Sequence, residues 1–442
     1  SSDLIKKQKF MIKKSMEKLV SLCKRRGFIF PSSDIYGGLE ATNDYGPLGI
    51  ELKNNIKSLW WKDMVTSRND IVGMDSAIFM NSKVWEASGH INEFHDPLID
   101  CKKCNARFRE DHIDLNKNCP KCGIKDWTEP TQFNLMLKTQ YGPSEQSSSV
   151  VYLRPETAQG IFVNFLNVIN SSRMKPPFGI AQIGKAFRNE ITTGNFLFRS
   201  REFEQMEMEF FVKPQETTKW LEYWTDLRLE WYKTLGINEK KLRLRPHEKD
   251  ELAHYAAACY DVEYNFPFGW SELEGIADRG IFDLQQHMNH SGKKLTWFDS
   301  TENQHITPAV VESSSGVDRT VLTVLSDAYH EEEVNGEKRV LLKLQPKLAP
   351  IKVAIFPLIN KNELPDIANK LTKNLSQHFS TFYDSSGSIG KRYRRQDEAG
   401  TPFGITIDPD TLKDNCVTIR SRDSMKQERI NIDTTLKFLN KY

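Results

Sequence analysis

Between Phe178 and Phe211 the chain alternates in twos on either side of a turn-forming stretch, which commits it to a β-hairpin. The period places Gln182, Arg188 and Glu190 on one face of the first strand. Thr192, Thr193, Gly194 and Asn195 supply the turn. On the return strand Arg201, Phe203, Gln205, Glu207 and Glu209 share a face, and Met206, Met208 and Phe210 take the other. One face is core; the other puts charge where a sheet ordinarily places apolar residues. Arginines beside carboxylates on a sheet floor suit a ligand of both signs, such as a nucleoside triphosphate next to an ammonium group. The plainer alternative is a solvated face laced with ion pairs, each contributing little.

At 442 residues the chain has room for several domains. Its net charge is only +2, so nucleic-acid binding would have to come from local patches. No apolar run reaches membrane-spanning length and no signal-peptide segment is evident, which makes the cytoplasm the expected address and no membrane an expected partner. Four of the seven cysteines form two Cys-x-x-Cys knuckles, Cys101/Cys104 and Cys119/Cys122, with Gly123 after the second. Such a pair can hold one tetrahedral Zn²⁺ with no open position, hence a structural metal; two disulfides are the alternative.

Residues 4–26 read as a basic helix ended by Gly27, with Met11, Leu19, Val20 and Cys23 as apolar positions; docking on the body of the protein is favoured over a membrane-surface helix, because the face is narrow and has no aromatic anchor beyond Phe10. A helix is expected from about residue 50 to 65, and its Trp60-Trp61 pair suggests a subunit contact. The cysteine module, residues 98–130, precedes strands that resume near Val150. Helices are expected at 214–235, 248–260 and 316–328, with strands at 262–266 and 271–277. Hairpins and helical insertions without regular β-α alternation favour an α+β antiparallel sheet flanked by helices. A proline-bearing linker at 344–350 leads to a small α/β module. Within it Lys391, Arg392, Tyr393, Arg394 and Arg395 could contact a phosphate backbone and stack on a base; a solvated basic loop is the alternative.

Four segments, Arg154-Pro-Glu-Thr-Ala-Gln-Gly160, Phe187-Arg-Asn-Glu190 through Phe211, Glu272-Leu-Glu-Gly-Ile-Ala277 and Gly316-Val-Asp-Arg319, resemble the signature motifs of class II aminoacyl-tRNA synthetases. With Trp85-Glu-Ala-Ser-Gly-His90, the cysteine knuckles and residues 387–397, the likeness extends over nearly the whole chain and is greatest to the dimeric, bacterial glycyl-tRNA synthetase family. The resemblance implies a class II catalytic domain at 1–343 on a six-stranded antiparallel sheet, with 98–130 as an inserted zinc-ribbon-like module and 30–65 as the homodimer interface. It also implies an anticodon-binding domain at 351–442. ATP with Mg²⁺, glycine and glycine tRNA are the implied partners.

Site residues follow from the same resemblance. ATP would meet Arg188, Asn189 and Glu190, then Phe198, Arg199, Ser200, Arg201, Glu202 and Phe203, then Glu272, Leu273, Gly316, Val317, Asp318 and Arg319. Arg188 and Arg319 would be catalytic, Phe203 would stack on adenine opposite Arg319, and Glu272 is the candidate Mg²⁺ ligand. Glycine would meet Arg109, Glu156, the run Phe203, Glu204, Gln205, Met206 and Glu207, and the run Glu312, Ser313, Ser314, Ser315 and Gly316. Because a carboxylate is already nucleophilic, attack on the ATP α-phosphorus needs alignment and charge stabilisation and no general base. A pocket too small for a Cβ would reject alanine and anything larger, so no editing domain is required. Where the family usually reads Glu-Pro-Ser, this chain reads Glu312-Ser313-Ser314, without the stiffening of proline. A catalytically dead accessory subunit would have lost the arginines and acids retained here, and a ligase charging a carrier protein would not need the C-terminal module.

Overall fold

A computed structural model describes residues 15–143, 149–191, 193–253 and 255–442. Its centre is a seven-stranded sheet formed by β1 (Ile71–Gly73), β2 (Phe178–Phe187), β3 (Glu202–Val212), β4 (Leu242–Pro246), β5 (Ala258–Phe266), β6 (Gly269–Gly280) and β7 (Ala309–Gly316), in the spatial order β4-β5-β6-β7-β3-β2-β1. Six strands run antiparallel, as the resemblance implies; the short β1 adds a seventh, parallel to β2. The hairpin β2-β3 pairs Glu202 with Phe187 through Phe211 with Phe178. Thr192, assigned to its turn, lies outside the described residues.

One face of the sheet is a continuous core. Helices α1 (Pro47–Trp61), α3 (Thr217–Thr234) and α5 (Val317–Ala328) cover it. In α3 the buried Leu221, Trp224, Thr225, Arg228, Trp231 and Tyr232 fall on one helical stripe, and they meet Met206, Met208 and Phe210 of β3. On the opposite face, α2 (Ala158–Val163) and α4 (Phe282–Ser291) pack Phe162 and Leu284 against Phe178, Ile180 and Phe211. They cover only the lower half of that face.

Several expectations are corrected. Residues 248–260 do not form a helix: β4 ends at Pro246, a loop crosses the sheet, and β5 begins at Ala258. The Glu251 carboxylate is taken by Arg245 at 2.8 Å and by the Glu248 amide at 2.9 Å, which closes a turn, and Ala257 already donates to Asp278 O. His254 of that segment lies outside the described residues. Trp60 is fully buried and Trp61 packs over Gly73, so the pair does not form an exposed contact patch. The exposed apolar side chains nearby are instead Ile35 and Tyr36, at 88% and 86%, with Leu39 and Ile50. The N-terminal helix, described over residues 15–26, docks as expected through Leu19, Leu22 and Cys23. Phe10 and Met11 lie outside the described residues.

A hairpin, β8 (Tyr329–Val334) and β9 (Glu337–Leu342), leads to a second sheet of β10 (Val353–Pro357), β11 (Thr381–Tyr383), β12 (Phe403–Ile407), β13 (Cys416–Ser421) and β14 (Gln427–Asn431), ordered β11-β10-β12-β13-β14. It has its own core, with α6 (Leu364–Leu375) against it. Residues 344–350 are packed: Leu344 and Leu348 are buried and Asn55 donates to Leu348 O. The basic segment near 391 is not a loop but helix α7 (Ile389–Ala399).

Candidate active site

Above α2 and α4 the sheet is open, and a cavity of about 310 Å³ lies on it. Alternation along β3 turns Phe203, Gln205 and Glu207 into this cavity, and the neighbouring β7 contributes Glu312 and Ser314 at matching register, Glu207 facing Ser314. Gly275 and Ala277 of β6 leave its floor low.

Arginines hold one end. Arg188, just beyond β2, donates from Nε to Pro155 O at 3.0 Å, and its guanidinium lies 5.4 Å from the Phe203 ring. Arg319, in the first turn of α5, donates to Phe198 O, pairs with Glu272 at 3.1 Å and stacks 4.5 Å from the Phe198 ring. The Arg319 guanidinium pulls the Glu272 carboxyl below its ordinary value. Arg199 stands 4.0 Å from Glu190 at the rim. Thus two flat cation–ring pairs, Arg188–Phe203 and Arg319–Phe198, border one slot.

Acids hold the other end. Two residues before Glu156, the Arg154 guanidinium lies across Gly184, where any Cβ would come within 2.2 Å of Nη2, and donates to Lys185 O and Ser76 O. Gln159 donates to Glu156 at 3.0 Å and His90 Nε2 lies 3.3 Å from it. Burial opposes its ionisation, but His90 and Arg279 outweigh burial and hold its carboxyl well below the usual range. Glu207 accepts from Thr157 Oγ1. Burial, then the Glu156 charge, pushes Glu207 up. Glu312 is met by Arg279 Nη1 at 3.1 and 3.2 Å, yet burial pushes it up to about 8. Arg279 is shared, since it also grips Asp283 at 2.7 and 2.8 Å. The pocket therefore carries more carboxylates than cations.

The structure brings Glu156, Arg188, Glu190, Phe198, Arg199, Ser200, Phe203, Gln205, Glu207, Glu272, Glu312, Ser314, Ser315, Gly316, Asp318 and Arg319 to the cavity wall. Other assigned residues point elsewhere. Met206, Leu273 and Val317 are in the core on the covered face. The Ser313 hydroxyl donates to Glu274 on that same face. Glu204 pairs with Lys53 and Lys57, and Glu202 with Lys185. Asp318 does reach the wall, but its carboxylate is taken by Tyr45 and the Glu204 amide. Arg201 donates to Glu40 O and Glu190 O, and the Asn189 amide to Leu135 O. Arg109 is held by Asp96 at 2.9 Å and by Asp111, off the wall.

Sequence reasoning missed Arg279, His247, Asp261 and Tyr255. Arg279 was within reach: a period of two from Gly275 and Ala277 places it on the site face. His247 and Asp261, 2.8 Å apart, were hidden by reading residues 248–260 as a helix.

Residues 141–328 match the tRNA synthetase class II core domain (G, H, P, S and T), and residues 352–442 match the anticodon binding domain. The chain is 55% identical over 429 residues, 96% of each chain, to a glycine–tRNA ligase of Borreliella burgdorferi. It is 53% identical to that of Caldanaerobacter subterraneus subsp. tengcongensis, covering 97% of this chain and 98% of the other, and 54% identical to that of Treponema denticola over 94% of each. The chain belongs to the glycine–tRNA ligase family.

Two further features of this family member lie away from the cavity. The four knuckle sulfurs all lie within 4.8 Å of one another, with Cys101–Cys122 at 3.6 Å and Cys104–Cys119 at 3.8 Å. A tetrahedron with Zn–S bonds of about 2.3 Å has edges of about 3.8 Å, so the thiols fit such an ion. The Lys121 amide points at Cys119 Sγ, 3.4 Å away, as in a metal knuckle. In the C-terminal unit, Lys391, Arg394 and Arg395 line a groove with Arg26. Arg392 is buried and donates to Pro357 O and Gly387 O, and Tyr393 bonds Thr406, so both are structural.

Proposed function

We propose that this chain joins glycine to glycine tRNA, first forming glycyl-adenylate and pyrophosphate from glycine and ATP, then passing the glycyl group to the 3′ end of the tRNA. The observation that carries the reading is one cavity with Arg188 and Arg319 at one end and Glu156, Glu207 and Glu312 at the other. In the first step a glycine carboxylate oxygen bonds to the α-phosphorus as the bond to pyrophosphate breaks. Arg188 and Arg319 stabilise charge on the phosphoryl oxygens, and adenine lies between the cation–ring pairs. Excess carboxylate attracts the glycine ammonium, and rejection of larger amino acids would fall to the side chains packed beside it, Gln205 and Ser314 among them. In the second step a terminal ribose hydroxyl attacks the acyl carbon and AMP leaves with its electron pair, its phosphate accepting the proton.

Glu272 and Asp261, both on the cavity wall, would hold an Mg²⁺ accompanying ATP, which would supply neutralisation of phosphate charge. The four cysteines would hold a structural Zn²⁺ in the module at 98–130. Exposed Ile35, Tyr36, Leu39 and Ile50 support a homodimer contact within 30–65. Lys391, Arg394 and Arg395 supply cations for tRNA phosphates in an anticodon-binding unit at 351–442. A cytoplasmic place is the one that a tRNA substrate calls for; among the described residues no helix is long and apolar enough to cross a membrane.

Glycine-dependent ATP–pyrophosphate exchange tests the reading, with alanine and serine as controls. Exchange with glycine alone is expected, and its absence would remove the proposal. For zinc, metal analysis before and after Cys101→Ser is expected to show loss of the metal; an unchanged content would count against the four-thiolate site.

A further inference from the structure

Directly behind the acid end of the cavity lies Glu209, which the activation chemistry does not use. It follows Glu207 by two residues on β3 and faces Glu312 of β7 in register. It has no solvent exposure, and neither carboxyl oxygen has a hydrogen-bond partner among the described residues. Below it Ile180 and Phe211 offer only hydrocarbon. One carboxyl oxygen from each of Glu207, Glu209 and Glu312 lies within 4.8 Å of the other two. The groups facing it are Glu207 on its own strand, Glu312 on β7, Arg279 on β6, and Asp283 on α4. Arg279 is the one cation among them, and it is already divided between Asp283 and Glu312.

A carboxylate in that position would be a buried, unpaired charge opposite a like charge, which is costly. Burial and the Glu312 charge drive its carboxyl well above the ordinary range. A protonated acid has an O–H to donate, and the acceptor across the register is Glu312. We propose that Glu209 is a positioning residue of the amino acid pocket, a neutral acid that donates its O–H to Glu312 and so steadies it as a carboxylate in the glycine-bound state, where the substrate ammonium favours its ionised form. The inference rests on the glycine-activating reading above. Glu209 touches no substrate; it acts through Glu312, whose remaining oxygen sites are left to Arg279 and to the ammonium.

The test uses ATP–pyrophosphate exchange with wild type, E209Q and E209L. The amide of E209Q keeps a neutral donor, so its KM for glycine should stay within about threefold of wild type. E209L keeps the bulk and loses the donor, so KM for glycine should rise by about tenfold or more with KM for ATP unchanged. Without the donor Glu312 takes up a proton more readily, so the acid-side rise in KM for glycine should move to higher pH in E209L. Wild-type KM and pH profile in E209L would overturn the proposal, as would equal damage in E209Q and E209L or equal losses for glycine and ATP. If E209L does not fold, infrared spectroscopy decides. A protonated-carboxyl band should be present in wild type and weaker in E209Q, and an unchanged band would overturn the assignment. Failure of wild type to exchange with glycine would instead remove the functional reading, so the two failures are distinct.

Discussion

The two faces of the central sheet bury acids at nearly the same register, and they balance them differently. On the covered face Glu274 is met by Arg228 at 2.7 Å and by the Ser313 hydroxyl at 2.5 Å, one buried carboxylate against one guanidinium, with the exposed Asp63 3.8 Å from Arg228. On the open face Glu156, Glu207, Glu209, Glu312 and Asp283 crowd around Arg279 and His90. A balanced buried pair is a structural solution, because its charges need nothing from outside. An overstocked cluster is stable only if protons or a cationic ligand make up the difference. Position along the chain does not separate the two kinds of acid: Glu274 lies two residues from Glu272, which lines the cavity, and Ser313 sits between Glu312 and Ser314.

The largest expected effect comes from removing an acid on the open side. Glu207→Ala should lower kcat/KM for glycine by about 10²–10³, the equivalent of an uncompensated buried charge, while KM for ATP moves little. Equal losses on both substrates would place Glu207 outside the ammonium site and break the contrast. On the covered side the loss should fall on stability instead. Arg228→Met strands Glu274 and should cost about 3–5 kcal/mol in chemical denaturation, with KM for glycine unchanged in the folded enzyme. Adding Glu274→Leu should recover much of that loss. No comparable rescue is expected when an open-face acid and Arg279 are removed together, because the pocket would no longer attract the ammonium.

Titration separates the faces more gently. Because Glu312 is raised to about 8 from a reference of 4.5, the folded protein holds a proton there that the unfolded chain has released. Stability from this group is therefore greatest at the low-pH end of that window and declines as pH rises toward 8. Glu156, with its carboxyl depressed, has the opposite sign: its contribution is present above the unfolded carboxylate range and is lost on acidification. Glu312→Gln should flatten the fall in Tm between about pH 5 and 8, the interval bounded by the two Glu312 values. In wild type, glycine should raise Tm more at pH 8 than at pH 6, since its ammonium favours the ionised form. A glycine-induced shift that shrinks with rising pH would contradict the charge accounting.

How much of this was legible follows the same division. The hairpin, its polar face, and the arginines and acids on it could be read from a period of two and the motif resemblance, because alternation fixes which side chains share a face. What alternation does not report is who pairs with whom. Arg392 and Tyr393 look like ligand-seeking residues in sequence, yet Pro357 O, Gly387 O and Thr406 satisfy them internally. Trp60 looks like a surface anchor but closes the core. The helix expected at 248–260 was lost to one local and one distant contact, Arg245 with Glu251 and Ala257 with Asp278, that helix propensity does not weigh. Glu209 is the reverse case: the pattern put it on the polar face, and only the absence of a hydrogen-bond partner among the described residues marks it as different from Glu207.

The smallest expected effect tests the contrast at a single residue step. The resemblance leads one to expect proline where Ser313 stands, and a proline there would stiffen the chain holding Glu312. The strand is already held on both sides, Met208 and Ile276 facing Ser313 in register, so rigidity comes from the sheet and not from the residue. The Ser313 side chain serves the covered face only. Ser313→Ala should therefore cost about 1 kcal/mol, the loss of one hydrogen bond to Glu274, and leave KM for glycine unchanged. Ser314→Ala, one residue on, removes the Gln205 contact on the open face and should raise KM for glycine with little change in stability. If the two substitutions exchanged effects, the pleat would not be what separates structure from chemistry here.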